Sequence, residues 1–194
     1  MSRGLGDVYK RQDMNEVIKN IKARRSCREY IDTQISTEDL NEILECALCG
    51  PSGMNSQGCY YTAIQNKEVL QELNKAVKAV FREREDSRGF DEDYNFYYKA
   101  PTLVIVTAKK DYKYFYTDGA VGLENIFLAA TSLGMGTCWI NQLADTYDNP
   151  QVRKILDRCH IPSDFGVVGC AAIGYSARAS VAPKRIQGRS LIVR

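Results

Sequence analysis

Asp118-Gly119-Ala120-Val121-Gly122-Leu123-Glu124-Asn125-Ile126-Phe127-Leu128-Ala129-Ala130-Thr131-Ser132-Leu133, followed by Gly134-Met135-Gly136-Thr137-Cys138-Trp139-Ile140, is the stretch that decides the architecture. Its first part reads as a helix with little polar surface. Ala120, Val121, Leu123, Ile126, Phe127, Leu128, Ala129 and Ala130 leave no broad hydrophilic stripe. A helix apolar nearly all round belongs inside a core or an interface. For a chain of 194 residues, a wholly buried central helix implies that a second subunit covers part of it. The glycines that follow allow close approach of the backbone to a ligand. Thr137–Ile140 then reads as a strand.

Outward from this stretch, helices and strands mix without a βαβ repeat. Leu103–Ala108 is continuous and apolar, as expected of a strand buried on both faces. Cys59–Ile64 and Gly166–Ile173 read as further strands. Val17, Ile18 and Ile21 fall at helical spacing in a first helix, Met14–Ala23. Ser36 opens a Ser-x-x-Asp box before a second helix, whose inner face is Leu40, Ile43, Leu44, Ala47 and Leu48. A third helix runs over Lys67–Phe81, and a short one over Asn149–Cys159 with an Asn-Pro start. Arg82–Lys99 is charged and aromatic without a period and reads as a lid or excursion. Tyr94, Phe96, Tyr97 and Tyr98 within it suit either an aromatic substrate or packing. The chain carries neither GxGxxG after a strand nor GxxxxGK[ST], so neither a Rossmann nor a P-loop site is expected. The fold class is α+β.

Hydrophobic residues make up 44% of the chain and charged residues 26%, a balance that supports a real core. A net charge of +2 gives no reason to expect nucleic acid or a membrane as partner. No apolar run is long enough to span a bilayer. Seven cysteines, an odd number at irregular intervals, fit a reducing cytoplasm better than a disulfide framework. Cys46 and Cys49 form a CxxC inside a helical pattern and read as small buried or half-buried apolar side chains. With His160 the single histidine and no second CxxC, no metal site is expected. Residues 1–13 lack usable periodicity and read as a non-native leader, which leaves one domain over residues 14–194.

Chemistry is concentrated in separated segments. Arg24, Arg25, Ser26 and Arg28 offer guanidinium forks and a hydroxyl, a donor set suited to a phosphate monoester. In an extended segment alternate side chains share a face, so Arg24, Ser26 and Arg28 can point together. A solvated basic run after a helix C-terminus is the competing explanation. Pro51-Ser52-Gly53-Met54-Asn55-Ser56-Gln57 is a loop of small and amide-bearing residues that could lie against a flat ring. Pro183-Lys184-Arg185 adds cations near the end of the chain.

Taken in order and spacing, these segments and Leu133–Ile140 resemble the nitroreductase-like flavoprotein family, from about Met14 to the C-terminus. The resemblance implies a mixed, mainly antiparallel sheet flanked by helices, in an intertwined homodimer that holds FMN at its interface. It implies that Arg24 and Arg185 hold the phosphate, with Lys184 and Arg189 as competitors of Arg185. Arg25 and Ser26 belong to the same contact stretch, and Arg28 would lie near the pyrimidine edge of the flavin. Pro51, Ser52, Asn55 and Gln57 would contact the flavin of the other subunit. Trp139, Ile140 and Asn141, with Gln142, would border the ring system. The chain departs from the family at Gly58-Cys59, where Pro-Trp is common, and at Asn141, where small members carry Gly. The implied activity is FMN-dependent transfer of hydride from NAD(P)H, by a ping-pong mechanism, to nitroaromatic, quinone or similar electron-poor acceptors. The flavin carries the chemistry, so no catalytic side-chain constellation is required. The alternatives are a flavin-binding protein without nicotinamide-driven turnover, and a same-fold enzyme of different chemistry such as reductive dehalogenation or flavin breakdown.

Overall fold

The computed structural model describes residues 15–194. The leader read over residues 1–13, and the Met14 start of the first helix, lie outside the described residues. Five helices and four strands follow in the order α1 (Glu16–Ala23), α2 (Thr37–Leu48), β1 (Cys59–Ile64), α3 (Lys67–Glu83), β2 (Thr102–Lys109), α4 (Phe115–Ser132), β3 (Gly136–Ile140), α5 (Pro150–Arg158) and β4 (Phe165–Gly174). Four helix starts are fixed by side chains. Asn15, Ser36, Asn66 and Asn149 accept from the backbone N–H two or three residues on, at 2.9–3.0 Å. Each such cap stabilises its helix by about 1 kcal/mol.

The strands pair in the order β1-β2-β4-β3, each neighbouring pair antiparallel. The parallel component expected of a mixed sheet is an isolated bridge between Ser26 and Thr137. β4 is buried along its whole length, and β2 at every position but Lys109. Leu103, Ile105, Cys170 and Ala172 face a core completed by α3 and α5. Val104, Val106, Ala171 and Ile173 face one completed by α2 and α4. The sheet is thus a middle layer with helices on both sides, which is why its central strands read as unbroken apolar runs. Pairing jumps from Val106–Gly169 to Thr107–Val167, so Val168 is the extra residue of a bulge.

α4 lies across this second face. Leu123, Ile126, Phe127 and Ala130 are buried, and side-chain amides tie neighbouring helices to it. Asn125 donates to Cys46 O at 2.9 Å, and Asn20 to Leu128 O at 2.8 Å. The expectation of a wholly buried helix holds for one face only. Tyr116 is exposed, Val121 is at the edge of exposure, and Leu128 and Ala129 are half-buried. α1 adds Val17, Ile18 and Ile21, all exposed. Cys46 is half-buried as expected, but Cys49 is exposed, because it caps the end of α2 beyond the packed face.

The segment Arg84–Pro101 folds back on α3 rather than standing free. Phe96 and Tyr97 are buried in the first core, with Tyr94 and Tyr98 packed against it. Packing therefore takes two of the four aromatics that could have met a substrate. Arg88 anchors the turn: its guanidinium lies 4.1 Å from the Phe81 ring centroid and donates to Asp86 at 2.6–3.1 Å. From Ala177 onward the chain has no helix or strand, and Val181, Ile186, Leu191 and Ile192 are exposed.

Candidate active site

The basic segment after α1 runs beside β3 and β4. Cys27 N–H donates to Thr137 O at 2.7 Å, and Ile31 N–H to Tyr175 O at 3.0 Å. This close pass depends on Gly136. A Cβ there would lie 2.2 Å from Ser176 Oγ and 2.7 Å from Cys27 Cβ, so any side chain would push the two strands of backbone apart. Cys27 points inward and is buried, while Ser26 and Arg28 on either side of it are exposed.

Arg24 and Arg28 are each held by an aromatic ring. The Arg24 guanidinium lies 6.0 Å from the Phe127 centroid and 4.0 Å from Glu124. The Arg28 guanidinium lies 5.8 Å from the Tyr98 centroid, and its interaction with the Tyr98 hydroxyl raises its pKa further above the ordinary value. Both charges reach Cys138, the residue before Trp139. Burial pushes the Cys138 thiol up, and Arg28 and Arg24 pull against that rise. Trp139 itself is 39% exposed, and its Nε1–H donates to Asn141 Oδ1 at 2.6 Å. Thr137 Oγ1 is buried without a partner among the described residues. Ile140 is fully buried and can offer only backbone to a ligand. Arg25 turns the other way and donates to the carbonyls of Lys22 and Arg24, both at 2.6 Å, closing the end of α1.

Beyond Arg28 a groove of about 480 Å³ is lined by Ser26, Arg28, Glu29, Arg178 and Ser180. Arg178, which pairs with Glu29, is a cation that sequence reading passed over. Its signal was its position as the first basic residue after the last core strand. Lys184, Arg185 and Arg189 are exposed and make no ion pair among the described residues of the same chain.

The Pro51–Gln57 loop is built differently. Ser52 Oγ accepts from Gln57 N–H at 3.0 Å, and Asn55 Oδ1 accepts from Gln57 Nε2 at 3.3 Å. Met54, Asn55 and Gln57 all have positive φ, at 55°, 52° and 48°. A left-handed conformation costs a non-glycine residue about 1–2 kcal/mol, less for Asn. Pro51 is exposed and Met54 stands 93% exposed at the tip. The loop meets α4 at Asp118, near its start, whereas Arg24 meets α4 at Glu124 and Phe127. At 1.5 Å per residue, the nine steps from Asp118 to Phe127 put these contacts about 14 Å apart along the helix. One chain therefore does not bring the loop and the arginines together on one spot.

The chain has counterparts among known proteins. The Nitroreductase family model matches residues 21–175. A nitroreductase of Bacteroides fragilis, crystallised with bound FMN, is 44% identical; the likeness covers 93% of this chain and 100% of that one, with a TM-score of 0.89. A second FMN-bound nitroreductase, from Desulfitobacterium hafniense, is 26% identical over 93% of this chain and 100% of its own, with a TM-score of 0.85. An Archaeoglobus fulgidus protein described as a candidate NADH dehydrogenase/NAD(P)H nitroreductase is 30% identical over 166 residues, 84% of this chain and 86% of its own. With the fold, the order of its segments and these matches in agreement, the chain belongs to the nitroreductase family.

Proposed function

We propose that the protein is an FMN-dependent NAD(P)H oxidoreductase that works as a homodimer in the cytoplasm. The observation that carries this reading is the pair Arg24 and Arg28 flanking Ser26 along the edge of β3, beside the exposed ring of Trp139. The Arg24 guanidinium and the Ser26 hydroxyl match the phosphate of FMN, the Arg28 guanidinium the pyrimidine edge of its flavin, and a half-exposed indole its flat ring. The buried, unpartnered Thr137 Oγ1 adds an unused polar atom under the same edge. The FMN named in the Bacteroides fragilis relative, at 44% identity, supports the same cofactor here.

The chemistry supplied by bound FMN is two-electron transfer: hydride from NAD(P)H in one half-reaction, hydride to a nitroaromatic, quinone or similar electron-poor acceptor in the next. The protein's own contribution is placement and charge. Arg24, Lys184 and Arg185 bind phosphate. Ser26 adds a neutral donor between the two arginines. Arg28, its guanidinium set over the Tyr98 ring, stabilises the negative charge that reduction creates. Trp139 and Asn141, locked to each other by their hydrogen bond, orient the ring and shield it from water. Pro51, Ser52, Asn55 and Gln57 approach from the second copy, which is why the loop and the arginines sit apart in one chain.

The test is an anaerobic absorbance titration of the purified protein with NADH and with NADPH. Full bleaching of a yellow flavin band, reversed by a quinone or nitroaromatic, is the expected result. A yellow protein that neither nucleotide bleaches would instead be a flavin-binding protein without nicotinamide-driven turnover.

A further inference from the structure

The Pro51–Gln57 loop has three non-glycine residues at positive φ. Hydrogen bonds inside it, from Gln57 N–H to Ser52 Oγ and from Asn55 N–H to Ser52 O, set part of that shape. A second set of contacts reaches it from outside. Asp118 Oδ2, in the first turn of α4, accepts from Gly53 N–H at 3.0 Å and from the Tyr112 hydroxyl at 2.5 Å. The Tyr112 hydroxyl also meets Ser56 Oγ, so one carboxylate and one phenol hold the loop at both ends of its turn. The rings of Tyr112 and Tyr114 pack edge to face, 5.9 Å between centroids. Gly53 lies so close to Tyr114 that a Cβ would fall 2.3 Å from the ring. Both Tyr112 and Asp118 are half-buried, and neither belongs to the phosphate or ring contacts described above.

We propose that Tyr112 and Asp118 are positioning residues for the flavin site, which hold the Pro51–Gln57 loop in its left-handed shape so that it fits the cofactor bound to the second copy. This rests on the functional reading of that loop. The pair acts through the loop and touches no reactant. Removing the Tyr112 hydroxyl breaks two hydrogen bonds, one to a charged acceptor. The loop then relaxes out of the left-handed region, and the flavin contacts are lost with it while the fold remains.

The experiment compares wild type, Tyr112→Phe, Asp118→Ala, Asp118→Asn and the double variant Tyr112→Phe/Met54→Gly as purified full-length protein. Ultrafiltration gives the FMN dissociation constant of each, and calorimetry its melting temperature. Tyr112→Phe is expected to weaken FMN binding by about tenfold, with Asp118→Ala weaker still. Asp118→Asn keeps an acceptor for Gly53 and recovers most of the loss. Met54→Gly removes the penalty of a left-handed residue and restores binding to within about threefold of wild type. Melting temperatures, measured on the flavin-free proteins so that FMN binding adds nothing to them, stay within about 4 °C, because the bonds tie a single loop and are only partly buried. Wild-type affinity in both Tyr112→Phe and Asp118→Ala would overturn the proposal. So would a loss that Met54→Gly does not repair, or one that tracks a fall in melting temperature. A wild-type protein that binds no FMN would instead bring down the functional reading, and this proposal with it.

Discussion

Arg24 and Arg28 sit four residues apart on one extended segment, yet their surroundings assign them different work. Arg24 shares its charge with Glu124 and stacks on Phe127, whereas Arg28 faces Tyr98 and has no carboxylate partner among the described residues. Arg28→Ala is therefore expected to weaken FMN binding by ten- to a hundredfold and to make the flavin harder to reduce, by about 30 mV for each factor of ten lost from the reduced form. Redox titration against a reference dye measures this. Gly136→Ala tests the close pass behind them. Its Cβ would strike Ser176 and Cys27, so we expect a loss of about 1–3 kcal/mol in chemical denaturation, with a parallel loss of flavin. Residue chemistry was legible as a proposal: Arg24, Ser26 and Arg28 marked a candidate donor set by type and spacing. The hand-off between neighbours was not. Nothing in Arg24-Arg25-Ser26 shows that Arg25 bends back on the Lys22 carbonyl, and nothing near Gly53 points to Asp118, 65 residues away.

Among the elements, α4 shows why the core was readable. Its buried face meets the sheet through Leu123 and Ile126, and Leu123→Ala should cost about 2–5 kcal/mol of stability through the cavity it leaves. Urea denaturation would show this as a lowered midpoint with an unchanged slope. The segment after α3 was harder to read, because aromatic and charged residues alternate there without a period and long-range packing decides their place. Its turn is pinned by Arg88, whose hydrogen bonds hold the Asp86 carboxyl at about 2, below the ordinary carboxylate range. Because the folded-state value is depressed, the pair stabilises the turn fully above about pH 4, and that contribution is lost as the pH falls toward 2. The protection factor of the Phe90 amide, which donates to Ser87 O, should fall as the pH drops through that window, once exchange is corrected for its intrinsic pH dependence. In Asp86→Asn the protection factor should be low at both ends of it.

At the scale of the whole molecule, exposed apolar side chains gather on α1 and along the tail: Val17, Ile18, Ile21, Ile186, Leu191 and Ile192. A monomer in water would leave all of them wet, and the proposed second copy would be their cover. Sharing of sites between copies can be tested by complementation. Arg28→Ala spoils one copy's cation, and Asp118→Ala spoils the loop reaching the other copy. If sites are shared, each mixed dimer contains one intact site, so random mixing should recover about one quarter of wild-type activity. If each chain serves its own site, mixing recovers nothing. Deleting residues 183–194 should weaken both association and flavin retention, measured by sedimentation and by absorbance of the eluted dimer. The sequence reading proposed a second copy through one helix too apolar for its setting. It could not show which surfaces α4 leaves open, because that depends on how much of it α1 and α2 cover.

The chain has a single tryptophan, and it stands half-exposed beside the arginine pair, its indole locked to Asn141. That placement makes the protein its own optical reporter. Indole emission overlaps flavin absorption, so light excited at Trp139 should be quenched as the cofactor settles beside it and should brighten as it leaves. Occupancy could then be followed in real time with no dye attached.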